Sequence, residues 1–174
     1  MRAKYVVGIA LLGIGVASYL AVKNLSFAAD QPHSEIVYKG IEFLREYSIR
    51  SQSEDIQIPK NLDVTERIRR SSGNYDAMCA SCHLKPGVHN SELSVGLYPA
   101  PPNLSKERQH ADPARDFWII KHGVMASGMP SWGKVGLTDE ETWDLVAFVR
   151  VLPQMNRQDY SNALEIGMGH HHSH

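Results

Sequence analysis

The stretch Cys79-Ala80-Ser81-Cys82-His83 decides how this 174-residue chain folds, because it holds both cysteines of the protein in a C-x-x-C-H arrangement. Two thiols at this spacing on a helical turn can each form a thioether with a vinyl group of haem. The imidazole of His83 then lies next to the iron and becomes one of its axial ligands. The stretch therefore predicts one covalently attached haem c, bound by Cys79, Cys82 and His83.

A C-x-x-C pair alone also occurs in zinc sites and in thioredoxin-like redox sites. A zinc site needs a second pair of ligands at a fixed spacing, and the chain has no further cysteine. A thioredoxin-like pair belongs to strand-rich surroundings, which the sequence does not predict. We therefore favour haem attachment, and the single motif indicates a single haem.

The charge balance argues against nucleic acid as a partner. The chain has 18 Lys+Arg and 19 Asp+Glu residues, so no basic surplus exists to neutralise phosphates. With 43% apolar residues, a chain of this length is expected to form one modest domain with appendages.

The N-terminus has the pattern of a membrane anchor. Arg2 and Lys4 precede an uncharged, mostly apolar run of 18 residues at 5–22. Such a helix is about 27 Å long, close to the thickness of the hydrocarbon core of a bilayer. The apolar region of a signal peptide is usually shorter, and the cleavage candidate Ser26-Phe27-Ala28 comes late. We favour an uncleaved single-pass anchor in the inner (cytoplasmic) membrane over a cleaved signal. The basic flank would leave the haem domain on the periplasmic side.

Four segments are expected along the chain: the anchor at 1–22, a connector at 23–61, a compact region at 62–153 and a polar, His-rich tail at 154–174. Periodicity and capping residues predict helices at about 34–50, 63–78, 113–122 and from Thr138 to Pro153. Residues 91–103 are rich in Pro and Gly and predict an irregular ordered loop. The fold class expected is all-α.

The predicted connector helix has two different faces. Val37, Ile41 and Leu44 recur at helical spacing, whereas Glu42, Arg45 and Glu46 make the other side polar. The helix could pack on the compact region or merely separate it from the membrane, and the sequence leaves both open.

The second axial ligand decides between electron transfer and catalysis, because an open iron position admits exogenous ligands. Met129, in a Gly-Met-Pro sequence 46 residues after His83, is the favoured candidate. Met125, His122 and an open position are the alternatives, and core packing is the commoner role of a methionine. A thioether ligand favours ferrous iron and would raise the reduction potential relative to two histidines.

The C-terminus has four histidines in its last five residues, His170-His171-His172-Ser173-His174. These imidazoles could bind copper, nickel or zinc weakly. We favour the plainer interpretation of a flexible tail or a purification-tag remnant.

Several motifs together resemble the class I mono-haem cytochrome c family, and most closely its membrane-anchored bacterial members. They are the C-x-x-C-H run with the preceding Tyr75-Asp76-Ala77-Met78, Gly96-Leu97-Tyr98-Pro99-Ala100-Pro101-Pro102-Asn103-Leu104, Phe117-Trp118-Ile119-Ile120-Lys121-His122-Gly123, Gly128-Met129-Pro130-Ser131-Trp132-Gly133 and the capped last helix. The resemblance covers residues 62–153.

The resemblance implies an all-α haem-wrapping domain in which the first and last helices cross. Tyr75 would lie at this crossing near Trp143 or Ala147, and Ser71, where the family usually has glycine, would widen it slightly. The carbonyl of Pro86 would accept a hydrogen bond from Nδ1 of His83.

The same resemblance leaves the partners of the haem propionates unassigned, since Ala100 replaces a residue that is often basic in the family.

The resemblance implies an electron carrier rather than an enzyme, which would exchange electrons with membrane-bound or periplasmic redox proteins. The alternatives are a haem enzyme or a gas or peroxide sensor with an open axial position, and the cytochrome subunit of a larger dehydrogenase or oxidase.

Overall fold

The computed structural model of the protein describes residues 2–24, 26, 28–106 and 112–168. This part of the chain is helical and contains no strand, which confirms the expected all-α fold class. The α-helices are α1 (Arg2–Lys23), α2 (Glu35–Ser53), α3 (Thr65–Met78), α4 (Ala80–His83), α5 (Glu92–Gly96), α6 (Pro113–His122), α7 (Asp139–Val151) and α8 (Arg157–Met168). The four tail histidines and Phe27 of the candidate cleavage site lie outside the described residues.

The chain divides into two compact units, residues 1–32 and 33–174. The first unit contains α1, whose stretch Lys4–Lys23 is long enough to cross a membrane and has a mean hydropathy of 2.1. Its described side chains are exposed, as expected for a helix that faces lipid. This helix fits a single-pass membrane anchor, and whether it is cleaved as a signal sequence stays a prediction.

In the second unit, α3 crosses α7 around Ser71. This side chain is fully buried, and its Oγ lies 2.8 Å from the carbonyl oxygen of Asp144 and 2.9 Å from that of Arg67, so the two carbonyls share its one proton. The serine was expected to widen the crossing slightly, which stays a prediction. The structure shows that it joins the two helices directly, because a buried hydroxyl needs a hydrogen-bond partner.

A buried ion pair lies beside this crossing. Nη1 of Arg67 lies 2.8 Å from Oδ1 of Asp144, and both side chains are at most 6% exposed. Arg70, which is half exposed, donates to both oxygens of the same carboxylate. The carboxylate on α7 is thus held by two guanidinium groups of α3.

Tyr75 is completely buried where α3 ends. Its hydroxyl donates to the carbonyl of Leu84 at 2.7 Å, and its ring centroid lies 5.2 Å from that of Phe148 and 6.4 Å from that of Tyr160. Of Trp143 and Ala147, the two residues expected near this ring, Trp143 stacks on Phe117 with ring centroids 4.3 Å apart.

The capping residues of α6 and α7 act as predicted. The carboxylate of Asp112 accepts from the amide of Ala114 at 3.0 Å, and Thr138 and Glu141 form a reciprocal capping box. The prediction for the loop at 91–103 was incomplete. The short helix α5 lies within it, because the side chain of Ser91 caps that helix.

The chain beyond Pro153 was expected to be a polar tail, yet α8 packs against α3. Tyr160 of α8 is buried, and its hydroxyl donates to the carboxylate of Asp76 at 2.8 Å. Ser72 donates to the carbonyl of Ala163 at 2.9 Å. Ala163 and Leu164 of the same helix are partly buried and pack against the core.

The connector helix α2 packs on the compact region, which answers the question that the sequence left open. Its carboxylate Glu46 lies 2.7 Å from the guanidinium of Arg115 on α6, and Ile49 is buried. The polar side of α2 thus faces inward, and Val37, Ile41 and Leu44 are exposed.

Candidate functional site

A cavity of about 350 Å³ lies within the second unit, and all four residues predicted to bind haem line it: Cys79, Cys82, His83 and Met129. Most of the remaining wall is apolar and includes Ile49, Leu97, Leu104, Ile120, Leu145 and Val149. The volume falls in the range typical of small-molecule and cofactor sites.

The two cysteines are carried by adjoining helical turns. The amide of Cys79 donates to the carbonyl of Tyr75 at 2.9 Å, and the amide of Cys82 donates to that of Cys79 at 3.1 Å. Both thiols are free, and burial together with the neighbouring Cys82 raises the pKa of Cys79 to about 12. A thioredoxin-like pair needs a thiol with a lowered pKa, and burial shifts the pKa of Cys79 in the opposite direction.

A zinc site is not supported either. No group of three or more His, Cys, Asp or Glu side chains that could hold a metal ion occurs in the described part of the chain. Structural zinc is almost always held by four such ligands. Within the described residues, the two thiols therefore lack the further ligands that a zinc site requires.

His83 ends α4 and is oriented by a different proline from the one expected. Its Nδ1 lies 2.9 Å from the carbonyl oxygen of Pro102, not of Pro86. The amide of Leu104 also donates to the carbonyl of His83 at 3.0 Å, so the loop returns alongside the histidine. A hydrogen bond from Nδ1 to a carbonyl fixes the tautomer in which Nε2 carries the lone pair needed for metal binding.

Met129 lies in a loop that is held at several backbone positions. Its carbonyl accepts from the amide of Val124 at 3.1 Å, and its amide donates to the hydroxyl of Ser127 at 3.1 Å. At Gly123, where φ is +72°, a Cβ atom would lie 2.7 Å from the backbone of Pro130. The loop therefore passes close to the end of α6, and the glycine is needed for this approach.

The rival ligands lie elsewhere. Met125 is 96% exposed, and the ring of His122 packs on Trp118 with centroids 5.0 Å apart. Neither residue lines the cavity. Of the three candidates for the second axial position, the structure brings only Met129 together with the two cysteines and His83.

Comparison with known proteins agrees with this geometry. Residues 66–149 match the family model of cytochrome c oxidase, cbb3-type, subunit III. These residues form a c-type cytochrome domain. No curated protein and no solved structure matches the chain.

The residues of the cytochrome domain fit the cofactor that such domains carry, covalently bound haem c. Two free thiols, one imidazole with a fixed tautomer and one thioether surround the same largely apolar space. These donor types are those that attach haem c and bind its iron. The domain is accordingly an electron-transfer cytochrome.

The structure also shows two cationic side chains that the sequence had not assigned to the site. Arg45 from α2 and Arg115 from α6 both line the cavity, and Glu46 lies between them. Burial alone would raise the pKa of Glu46, but hydrogen bonds and charges from the two arginines outweigh burial and lower it. The only signal in the sequence was the spacing of Glu42, Arg45 and Glu46 along one side of α2.

Proposed function

We propose that this protein is a membrane-tethered mono-haem cytochrome that passes single electrons between membrane-bound or periplasmic redox proteins. His83 and Met129 would be the axial ligands, and the haem domain would lie on the periplasmic side. The observation that supports this proposal most strongly is the presence of Cys79, Cys82, His83 and Met129 around one cavity, with Met125 and His122 outside it.

The contacts of these residues suit electron transfer. When bound, haem c supplies an iron that gains or loses one electron. The carbonyl of Pro102 holds the ring of His83, and Val124 and Ser127 hold the backbone of Met129. Ligands held in this way move little when the charge of the iron changes, and a pair of protein ligands leaves no position for a substrate.

A second candidate function follows from the family match. The matched model describes a subunit of a cbb3-type oxidase, so this chain could serve as the cytochrome subunit of a larger membrane complex. The chemistry at the haem would be the same, and only the partners would differ. Co-purification from native membranes in mild detergent, without crosslinking, separates the two: a stoichiometric oxidase complex supports the subunit, and a free chain supports the carrier.

Absorption spectra of the full chain in both redox states test the proposed ligation. Methionine bound to ferric haem gives a weak band in the far red, and we expect this band in the oxidised protein. Because both axial positions would be filled, carbon monoxide should leave the spectrum of the reduced protein unchanged. Loss of the far-red band together with a rapid carbon monoxide shift would overturn the electron-carrier proposal in favour of an open site.

Gly123→Ala is expected to weaken the bond from Met129 to iron. The backbone at Gly123 has φ +72° and ψ −172°, a region that is essentially restricted to glycine and costs other residues about 1–3 kcal/mol. The added Cβ would also push against the backbone of Pro130, next to the ligand. The far-red band should therefore disappear at a lower temperature than in the wild-type protein.

Gly136→Ala is the matched control for this prediction. Gly136 also has a positive φ, +109°, but a Cβ atom there has nothing within 4 Å. This variant should lose stability through backbone strain alone and keep the band up to its own unfolding temperature. Equal effects of both variants on the band would show that Gly123 does not position Met129.

A further inference from the structure

The connector helix α2 has an apolar face that is exposed. We call it the outer face of α2, and it consists of Ile36, Val37, Ile41, Phe43, Leu44 and Tyr47. Between 43% and 86% of each of these residues is exposed to solvent. At about 100° per residue they share one arc of the helix, and no charged residue lies within that arc. An exposed apolar surface of this kind usually marks a contact site.

The outer face cannot turn inward, because the opposite side of α2 is fixed to the domain. Ile49 is buried, and Glu46 pairs with Arg115 of α6 at 2.7 Å. Tyr38 and Arg45 line the haem cavity from the same inner side. The amphipathic helix therefore presents its polar side to the protein and its apolar side outward, opposite to the usual arrangement in soluble proteins.

We propose that the outer face of α2 docks on the surface of the lipid bilayer in which α1 is anchored. Eleven residues, 24–34, separate the end of α1 at Lys23 from the start of α2 at Glu35. Even a fully extended linker of that length spans at most about 40 Å. The anchor thus keeps the bilayer permanently within reach of α2, at a high effective concentration that a separate protein partner does not have.

The composition of α2 matches a helix that lies in the membrane interface. Phe43 and Tyr47 are aromatic residues of the type enriched at the level of lipid headgroups. Lys39 and Arg50 lie along one rim of the apolar arc, where they can contact lipid phosphates. Low overall hydrophobicity combined with one strongly apolar side distinguishes such helices from membrane-spanning ones.

This docking has a consequence for electron transfer, which rests on the proposed function. The inner side of α2 lines the cavity, and a helix with its side chains is about 10–12 Å across. Docking would place the haem cavity within about one helix diameter of the membrane surface. Electrons would then pass from the haem more readily to redox sites embedded in the membrane than to soluble partners.

Photolabelling of the full, haem-containing chain in liposomes tests the docking. The liposomes contain a phospholipid with a photoactivatable diazirine on its acyl chain, and labelled residues are mapped by mass spectrometry of peptides. We expect label in α1 and along the outer face of α2, and none at residues 133–137. Leu44→Glu should reduce labelling of α2 about tenfold and leave labelling of α1 unchanged.

Val135→Glu is the matched control, because Val135 is 71% exposed but belongs to the short helical turn Gly133–Val135 and not to α2. This variant should be labelled like the wild-type protein, and both variants should keep the wild-type haem spectrum. Label in α1 but not in α2 would overturn the proposal, as would undiminished α2 labelling in Leu44→Glu. In a parallel sample with a photoreactive amino acid in place of Ile36, crosslinks between two α2 helices would assign the face to a second copy of the chain and would overturn the proposal. Lipid labelling does not depend on iron ligation. The docking proposal can therefore fail while the proposed function stands, and the proposed function can fail while the docking proposal stands.

Discussion

Asp144→Asn is expected to lower the free energy of unfolding by about 3 kcal/mol, because it removes the buried carboxylate that pairs with Arg67 and leaves this cation with the solvent-exposed carboxylate of Glu140. The Asp144 carboxylate lies 2.8 Å from the guanidinium of Arg67, whose side chain is 4% exposed. Breaking a buried pair by removing one partner is costly because the remaining charge stays away from water. The pair joins α3 to α7, the two helices that cross at the centre of the domain.

Chemical denaturation of the full chain in detergent, followed by helical circular dichroism and haem absorbance, measures this effect. Glu140→Gln is the control, because Glu140 also contacts Arg67, at 2.9 Å, but is 64% exposed. A pair screened by solvent contributes little, so the control should lose less than about 1 kcal/mol. Similar losses in the two variants would mean that burial of the Arg67–Asp144 pair does not set its strength.

Local signals in the sequence were sufficient for the central helices. Asp112 before Pro113 and the capping box from Thr138 to Glu141 predicted where α6 and α7 begin, because caps act within one turn of the helix. No such signal marks the start of α3. That helix begins at Thr65, two residues after the predicted start, with Val64 as its cap residue and no side-chain hydrogen bond at the cap.

Contacts between residues that are far apart in the chain could not be predicted from the sequence. The hydrogen-bond partner of His83 is Pro102, 19 residues away, and the nearer Pro86 was the wrong choice. The helical fold of residues 157–168 was missed as well, since among its described side chains only Tyr160, Ala163 and Leu164 pack in the core. Sparse apolar positions give almost no periodicity, although a partner helix can still bury them.

The orientation of α2 was the least predictable feature. Hydrophobic periodicity alone indicates that the apolar side of a helix faces the core. Here the polar side faces the domain, because Glu46 forms an ion pair with Arg115 of α6 and Arg45 lines the cavity. An ion pair between side chains 69 positions apart leaves no pattern in a single sequence.

The choice between two methionines shows how the site was only partly predictable. Met125 and Met129 lie four residues apart, and spacing from His83 does not separate them. The structure favours Met129 because Val124 and Ser127 bind its backbone next to the cavity, while Met125 is exposed. The cysteines and His83 could be proposed from the sequence without the structure, because the whole haem-attachment motif is contained in five consecutive residues.

Met129→Ala is expected to remove the far-red ferric band completely. Among the described residues, the only other methionine that lines the cavity is Met78, which directly precedes Cys79 at the end of α3 and does not belong to the loop that carries Met129. The reduced variant should bind carbon monoxide, which the wild-type protein should not. Loss of the soft thioether should also lower the reduction potential. Absorption spectra of both redox states and a potentiometric titration measure these three changes.

Two further variants make the result specific to ligation. Met125→Ala should retain the wild-type spectrum, because that side chain is 96% exposed and outside the cavity. Met129→His should lack the far-red band and yet exclude carbon monoxide, because an imidazole at this position can fill the open coordination site. Retention of the band in Met129→Ala would show that another side chain binds the iron, and the proposed His/Met ligation would be wrong.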